Sequence, residues 1–232
     1  MERFNRSGEM RQTTVIAVLV SLLCLVSFLP GPIPTAQGQT GAAISLPQPV
    51  LDGTVSIEKA LSQRRTLRSY QDLPLTMADV SQMLWAAQGI TEPKKGLRTA
   101  PSARAIYLMQ IYLVADRVTG LPAGLYKYQP QGHQLIKVAD GDIKGILFGA
   151  APQNPIKNAP AAMIIAGFPA KAPNSAWMYL EAGHVAENVA LQAVSLKMGI
   201  VTVGGFKPDD VKKALKLPES ETPIYILPMG KK

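Results

Sequence analysis

The chain has 232 residues, which is enough for one domain with a complete hydrophobic core. Apolar residues make up 47% of the sequence and charged residues 17%, a balance that suits a packed globular protein and argues against extended disorder. The formal charge is +8, but the 24 basic residues are scattered as singles and pairs without interleaved aromatic residues, so we expect no nucleic-acid partner.

The first 38 residues have the order of a secretory signal peptide. Basic residues come first, an apolar run fills 13–29, and small residues lead to a cleavage site after Gly38. An uncleaved membrane anchor at 13–29 is the alternative, and either interpretation predicts an exported domain, periplasmic or otherwise extracytoplasmic. The single cysteine, Cys24, lies in this segment, so the sequence predicts a mature domain without disulfides or thiolate chemistry.

Residues 39–55 are rich in Pro, Gly, Gln and Thr and are predicted to form a linker, followed by one domain over 56–232. The spacing of apolar residues predicts a helix over 56–64 that begins near Ser56. A second helix should begin at Thr76, a good N-cap, and end at Gly89.

The rest of the domain alternates irregularly between strand and helix patterns. We predict strands at 105–116, 161–168, 200–206 and 223–230, a hairpin from 125–128 to 135–138, and helices at 175–198 and 208–215, with Gly199 ending the longer helix. Because strands and helices do not alternate strictly, the predicted class is α+β, and the sequence has no internal repeat.

Two segments have residue types that suit a phosphorylated, planar ligand. The basic segment, defined as Arg64, Arg65, Thr66 and Arg68, offers planar guanidinium groups and a hydroxyl to phosphate oxygens, although a solvated basic face is the alternative. The Pro-Ser-Ala loop, defined as Pro101, Ser102 and Ala103, has small side chains that let a ligand approach the backbone, although it also suits an ordinary strand entry.

Two further features have weaker implications. The residues Val203, Gly204 and Gly205 end a predicted strand and can expose backbone amides, although a simple turn is the alternative. Glu181 and His184 share one side of a helix, but one such pair without cysteine favours a structural histidine over a metal site. No G-x-S-x-G sequence is present to indicate a serine hydrolase.

In their order, the motifs "RRTLRSY", "RTAPSARAIYLMQIYLV", "YLEAGHVAENVALQ", "IVTVGGF" and "PIYILPMG" resemble the nitroreductase family, and within it the SagB/ThcOx-type dehydrogenases. The resemblance runs from about residue 51 to 230. It implies an α+β fold with a central, mainly antiparallel sheet flanked by helices, and a homodimer with one FMN in each of two interface sites.

The resemblance also implies residue roles. The basic segment would hold the phosphate and ribityl chain of FMN, and the Pro-Ser-Ala loop would contact the flavin of the partner subunit. Val203 and the glycine pair, defined as Gly204 and Gly205, would present backbone amides to the ring. Lys231 would add positive charge at the phosphate, with Lys232 beside it. The chemistry would belong to the flavin, with no obligatory catalytic side chain.

The chain departs from the branch pattern in ways that bear on activity. Arg104 replaces a glycine directly after the Pro-Ser-Ala loop, Leu108 and Gln110 replace a proline and a glutamate, and Glu187 replaces a glutamine. Arg104 either reaches toward the flavin and modulates it or turns outward. We therefore expect an exported FMN-dependent oxidoreductase that acts on a small-molecule acceptor, with NAD(P)H or another reductant as donor. The alternative is a degenerate member that binds flavin or a related ligand without turnover.

Overall fold

The computed structural model describes residues 41–232. The strands are β1 (Ala43–Ser45), β2 (Ile90–Glu92), β3 (Leu97–Arg98), β4 (Met109–Ala115), β5 (Gly124–Gln129), β6 (Gln134–Asp140), β7 (Ala161–Gly167), β8 (Met198–Ile200) and β9 (Thr222–Lys231). The helices are α1 (Ile57–Gln63), α2 (Met77–Gln88), α3 (Ile143–Ala150), α4 (Asn154–Asn158), α5 (Ser175–Ser195) and α6 (Pro208–Ala214). Within 41–232, none of the helices is both long and apolar enough to cross a membrane. The predicted signal or anchor at 1–38 lies outside the described residues.

Seven strands form one antiparallel sheet in the order β1-β6-β5-β4-β7-β9-β8, while β2 and β3 form a separate hairpin. The alternation of β4 sends Ile111 and Leu113 to one face, where α2 and α5 pack, and Tyr112 and Val114 to the other, where α3 and α6 pack. The predicted α+β class, with a central antiparallel sheet flanked by helices, is confirmed.

The helix starts that the sequence predicted are present in the structure. Ser56 Oγ accepts a hydrogen bond from the Lys59 amide at the start of α1. Thr76 and Asp79 form a reciprocal capping box at the start of α2, and Gly89 follows its last residue. These local signals sufficed because each cap satisfies an amide that the first helical turn leaves free.

Three predicted boundaries were wrong. Helix α5 ends at Ser195 because Lys197, with φ of 52°, already takes the left-handed position, and the predicted stop Gly199 lies inside β8. The strand predicted at 200–206 is β8 at 198–200 followed by a single bridge at Val203. The strand predicted from 105 begins at Met109, since a 3-10 turn occupies 103–105.

The structure also contains elements that were not predicted. The predicted linker contributes the edge strand β1, and the polar connection between α2 and β4 contains the β2–β3 hairpin. Helices α3 and α4 fill 143–158, with Asp142 capping the first and Pro155 at the start of the second.

The segment after α1 is attached to the edge of the sheet. The Leu67 amide donates to the Ile200 carbonyl at 2.9 Å, and the Gln71 amide donates to the Lys231 carbonyl at 2.9 Å. Between them, the Tyr70 hydroxyl donates to the Pro228 carbonyl at 3.0 Å. A Cβ on Gly230 would lie 2.8 Å from Tyr70 Cβ, so the absence of a side chain there lets Tyr70 lie on β9.

We predict that Gly230→Ala destabilises the protein by about 1–3 kcal/mol, because the added methyl must push Tyr70 away from β9. Urea unfolding checks this value. The matched control is Gly149→Ala near the end of α3, where a Cβ meets nothing within 4 Å; it should be neutral or stabilise by up to about 1 kcal/mol. Equal stability of the two variants would contradict the proposed packing.

His133 joins the β5–β6 hairpin to α2 and to the connection between β1 and α1. Its Nδ1 lies 2.8 Å from the Tyr128 hydroxyl, and its Nε2 lies 2.6 Å from Ser81 Oγ and 3.1 Å from the Pro47 carbonyl. A neutral ring protonated on Nε2 satisfies this set, with the Tyr128 hydroxyl donating to Nδ1. Burial lowers the pKa of His133, although the Pro47 carbonyl opposes the shift.

Because the folded pKa of His133 lies below its usual 6.5, the unfolded chain binds more protons as the pH falls through that value. The contribution of His133 to the free energy of unfolding should therefore be fully present above about pH 6.5 and decline as the pH falls below that value. We predict that His133→Asn, which tolerates the local φ of 46°, reduces this decline between pH 7.5 and 5.5 in urea unfolding. His184→Asn is the control and should keep the wild-type decline; the same decline in both variants would contradict the assignment.

Candidate functional site

The basic segment lies in extended conformation beside β8, and its cations have different environments. Arg64 Nε lies 3.5 Å from the Glu187 carboxylate of α5, so this charge is compensated. Arg65, Thr66 and Arg68 are exposed, and neither arginine forms an ion pair within residues 41–232. The segment therefore offers two guanidinium groups without counter-ions and a hydroxyl at the sheet edge, although Arg65 Nη1 already donates to the Ser62 and Arg64 carbonyls.

The two C-terminal lysines also differ. Lys231 Nζ donates to the Asp79 carboxylate at 2.7 Å, at the start of α2. Burial raises the pKa of Asp79, but hydrogen bonds from Lys231 and Thr76 outweigh it and leave the pKa below its ordinary value. Lys232 instead lines a cavity beside the basic segment. Of the two, Lys232 has the environment that was expected for Lys231.

This cavity, the Arg65 cavity, has a volume of about 200 Å³ and lies between the basic segment, the second half of α5 and β8. Arg65 and Lys232 supply its positive charge, and Gln63 adds a polar amide. The other lining residues are apolar: Leu67, Ala190, Ala193, Val194, Met198 and Ile200. The combination suits a ligand with an anionic end and an apolar or planar body.

The glycine pair lies further along the same edge. Val203 bridges to Ile226 of β9, whereas Met198 pairs with Lys231, five residues along the strand. At the usual rise per residue, the glycine pair and the basic segment are separated by ~17 Å along β9. Gly204 and Gly205 are exposed, and their amides donate to no acceptor within residues 41–232.

The Pro-Ser-Ala loop is fixed by a buried carboxylate of α5. Ser102 Oγ donates to Glu181 Oε2 at 2.6 Å and accepts from the Tyr107 amide at 2.8 Å. Glu181 is only 3% exposed, and its second oxygen has no hydrogen-bond partner among the described residues. The sequence did not reveal this partnership, because Ser102 and Glu181 are 79 residues apart.

Arg104 occupies the left-handed region, with φ of 56°, and Ala105 and Tyr107 do so as well. A glycine adopts this conformation without strain, whereas a residue with a Cβ does so at a cost of about 1–2 kcal/mol. The Arg104 guanidinium is 5.5 Å from the centre of the Trp177 ring, in the first turn of α5. The side chain therefore turns toward α5, where a cation–π contact holds it.

The predicted site residues form two groups within one chain. The Pro-Ser-Ala loop meets α5 at Glu181, whereas the Arg65 cavity meets it between Ala190 and Val194. At the usual helical rise, the groups are separated by ~14–20 Å along α5. The basic segment and the glycine pair share one sheet edge, and the Pro-Ser-Ala loop lies elsewhere.

The pair Glu181 and His184 has a structural environment. Glu181 accepts from Ser102, and His184 Nδ1 lies 3.4 Å from the Pro101 carbonyl. In the described part of the chain, no group of three or more His, Cys, Asp or Glu residues is placed to hold a metal ion. The two residues are thus used to position the Pro-Ser-Ala loop.

The structure is an antiparallel α+β fold with a cationic cavity and exposed glycine amides along one sheet edge, and such a fold alone does not specify an activity. The sequence profile of the nitroreductase family matches residues 61–231, and the chain belongs to this family. A candidate nitroreductase of Methanocaldococcus jannaschii is 35% identical over 185 residues, which cover 77% of this chain and 92% of that protein.

Solved structures of two further candidate nitroreductases have the same fold. The Ralstonia eutropha JMP134 protein superposes with a TM-score of 0.71 at 26% identity, covering 88% of this chain and 96% of that one. The Anabaena variabilis protein superposes with a TM-score of 0.72 at 24% identity, covering 82% of this chain but 42% of that longer chain. The nitroreductase-like fold predicted from the motif order is confirmed.

We predict that Arg104→Gly is more stable than Arg104→Ala by about 1 kcal/mol, because only glycine relieves the left-handed backbone. Arg104→Ala should in turn be less stable than the wild type by about 0.5–1 kcal/mol, since it keeps the strain and loses the contact with Trp177. Urea unfolding of the three proteins checks both differences. Equal stability of the alanine and glycine variants would contradict the strained conformation.

Proposed function

We propose that the protein is an FMN-dependent oxidoreductase that passes hydride or electrons from a donor to a small-molecule acceptor. Family membership supports the reaction class. The observation that carries the cofactor assignment is the arrangement along the β9 edge, where the positively charged Arg65 cavity lies at one end and the free amides of Gly204 and Gly205 at the other.

The residues present fit FMN. Arg65 and Lys232 line the Arg65 cavity as exposed cations without ion-pair partners in residues 41–232, as a phosphate site requires. Thr66 and Arg68 are exposed on the same segment but do not line the cavity. Gly204 has no side chain to block a ring, and a Cβ there would already lie 3.2 Å from the Tyr225 ring. When bound, FMN supplies hydride transfer at its N5 atom. The chain's contribution is to hold the phosphate, leave amides free for the ring edge and shape the apolar wall.

The separation of the two groups along α5 supports a homodimer. The Pro-Ser-Ala loop is too far from the Arg65 cavity to serve the same ring closely, so we propose that it serves the cofactor of a second copy. The Ser102–Glu181 hydrogen bond would then fix the loop that one subunit presents to the other. On this proposal, Ser102 is a positioning residue and the reaction needs no protein nucleophile.

We also propose that the protein acts after export, as the pattern of residues 1–38 suggests, and that it is nearest to the SagB/ThcOx-type dehydrogenases, as the motif order suggests. NAD(P)H is scarce outside the cytoplasm, so the proposal allows NAD(P)H or another reductant as donor. The acceptor is a small electron-poor or quinone-like molecule.

A second candidate function is flavin or ligand binding without turnover. The ion pair between Arg64 and Glu187 favours it, because this pair removes one positive charge from the expected cofactor site. Arg104, which occupies the position of a glycine in the related dehydrogenases, favours it as well. The two candidates differ in one measurable property, the reoxidation of the reduced flavin by an acceptor.

The test is the absorption spectrum of the purified protein after FMN addition and desalting. We predict a retained flavin band, and reoxidation by the quinone menadione after reduction with dithionite. Arg65→Gln should weaken FMN binding by about tenfold or more, because a charge-assisted hydrogen bond to phosphate is lost. Lys157→Gln removes an exposed cation of α4 and is the control that should bind FMN as the wild type does.

A folded protein that stays colourless after FMN addition would overturn the proposal. A flavin that binds but is not reoxidised by the quinone, or by dioxygen as a second acceptor, would favour the candidate without turnover. Arg104→Gly separates the two explanations of that result, since it should restore reoxidation only where Arg104 itself blocks the acceptor.

A further inference from the structure

A second cavity lies beside the Pro-Ser-Ala loop and shares no residue with the Arg65 cavity or with the expected cofactor contacts. This Arg98 cavity has a volume of about 330 Å³ and is lined by residues of α2, β3, the 106–107 turn, β4, β5 and the connection after β7. Two cations, Arg98 and Lys171, line it, and no acidic side chain does. Its charge and shape therefore select for an anion.

Arg98 is the better placed of the two cations. Its guanidinium donates to Gln88 Oε1 at 2.9 Å and is 4.3 Å from the centre of the Tyr107 ring, so its plane is held by two neighbours. It forms no ion pair within residues 41–232. Burial lowers the pKa of Arg98, and the negative charge of nearby Glu181 partly offsets this, but an arginine remains charged at neutral pH. A half-buried guanidinium with no carboxylate at ion-pair distance can accept the carboxylate of a ligand.

Gln88 gives a second, independent indication. Its side chain is fully buried and lines the Arg98 cavity, and its Nε2 has no hydrogen-bond partner among the described residues. A buried amide donor without an acceptor destabilises a fold by about 1–3 kcal/mol. Since Gln88 Oε1 is already bound to Arg98, an oxygen that accepts from the Arg98 guanidinium is also well placed to accept from Gln88 Nε2.

The remaining walls set the character of the rest of the ligand. Ile106, Met109 and Phe168 give part of the cavity apolar walls, whereas Gln110 and Tyr128 add polar surface. Lys171 Nζ lies 4.2 Å from the centre of the Phe168 ring. Inorganic phosphate would leave these apolar surfaces without contacts. A carboxylate with a compact apolar or aromatic body would use both parts of the cavity.

We propose that the Arg98 cavity binds a small organic acid, with its carboxylate on Arg98 and Gln88 and its apolar body against Ile106, Met109 and Phe168. The site is separate from the expected FMN contacts, and its test measures binding instead of turnover, so it stands or falls independently of the proposed function.

The probe is benzoate, titrated calorimetrically into the purified full chain with FMN present. We expect a dissociation constant on the order of 1 mM or tighter. Arg98→Met, which keeps the aliphatic part of the side chain, should weaken benzoate binding by about tenfold or more. Lys171→Met removes a more exposed charge and should weaken it by about two- to fivefold.

Lys157→Met is the matched control, because Lys157 also lies over an aromatic ring, Phe148 at 5.8 Å, but outside the cavity; benzoate should bind to it as to the wild type. Circular dichroism shows which variants are folded. Lys171, at the surface, keeps the test informative where Arg98→Met does not fold. The proposal is overturned when benzoate does not bind the folded wild type, when Lys171→Met and folded Arg98→Met bind it unchanged, or when benzamide or inorganic phosphate binds as tightly as benzoate.

Discussion

Helix α5 is the constraint on which the rest of the candidate site depends. Its buried side is built from small and medium residues, including Ala182, Ala186, Val189 and Ala193, so it packs closely on the sheet and on α2. Its other contacts then follow at fixed intervals: Glu181 holds the Pro-Ser-Ala loop, Glu187 holds Arg64, and the small residues near Ala193 form the wall of the Arg65 cavity. Because the helix fixes these distances, one chain holds the Pro-Ser-Ala loop and the Arg65 cavity apart, and this separation is the basis of the proposal that a second copy completes the site.

Ion pairs show which of the candidate cations are available to bind an anion, a distinction that the sequence alone could not make. Arg64 and Lys231 have carboxylate partners, Glu187 and Asp79, whereas Arg65, Arg68 and Lys232 have none in residues 41–232. A paired cation contributes less to anion binding, since its field is already partly cancelled. The phosphate of the proposed FMN would therefore depend chiefly on the three unpaired cations. The sequence comparison noted that Glu187 replaces a glutamine, and the structure shows that this glutamate forms an ion pair with Arg64.

The sequence predicted elements whose signals are local. The caps Ser56 and Thr76 and the alternating hairpin were found because a few adjacent residues determine them. The end of α5 was missed, because Lys197 adopts a left-handed conformation that its residue type gives no reason to expect. For the site, the motif order predicted roles for the basic segment and the glycine pair, and the structure places both along one sheet edge. The partnership of Ser102 with Glu181, and the Arg98 cavity, depend on contacts between residues far apart in the chain, which no local pattern encodes.

The turn from Ser102 to Tyr107 joins the Pro-Ser-Ala loop to the wall of the Arg98 cavity in a single strained element. Three of its residues have positive φ, yet the turn is held at both ends by one hydroxyl, because Ser102 Oγ accepts the Tyr107 amide while donating to Glu181. Tyr107 also carries its ring against Arg98 in the wall of the second cavity. Movement of the Tyr107 backbone would therefore strain the hydrogen bond that sets Ser102, so the Pro-Ser-Ala loop and one wall of the Arg98 cavity depend on the same short segment.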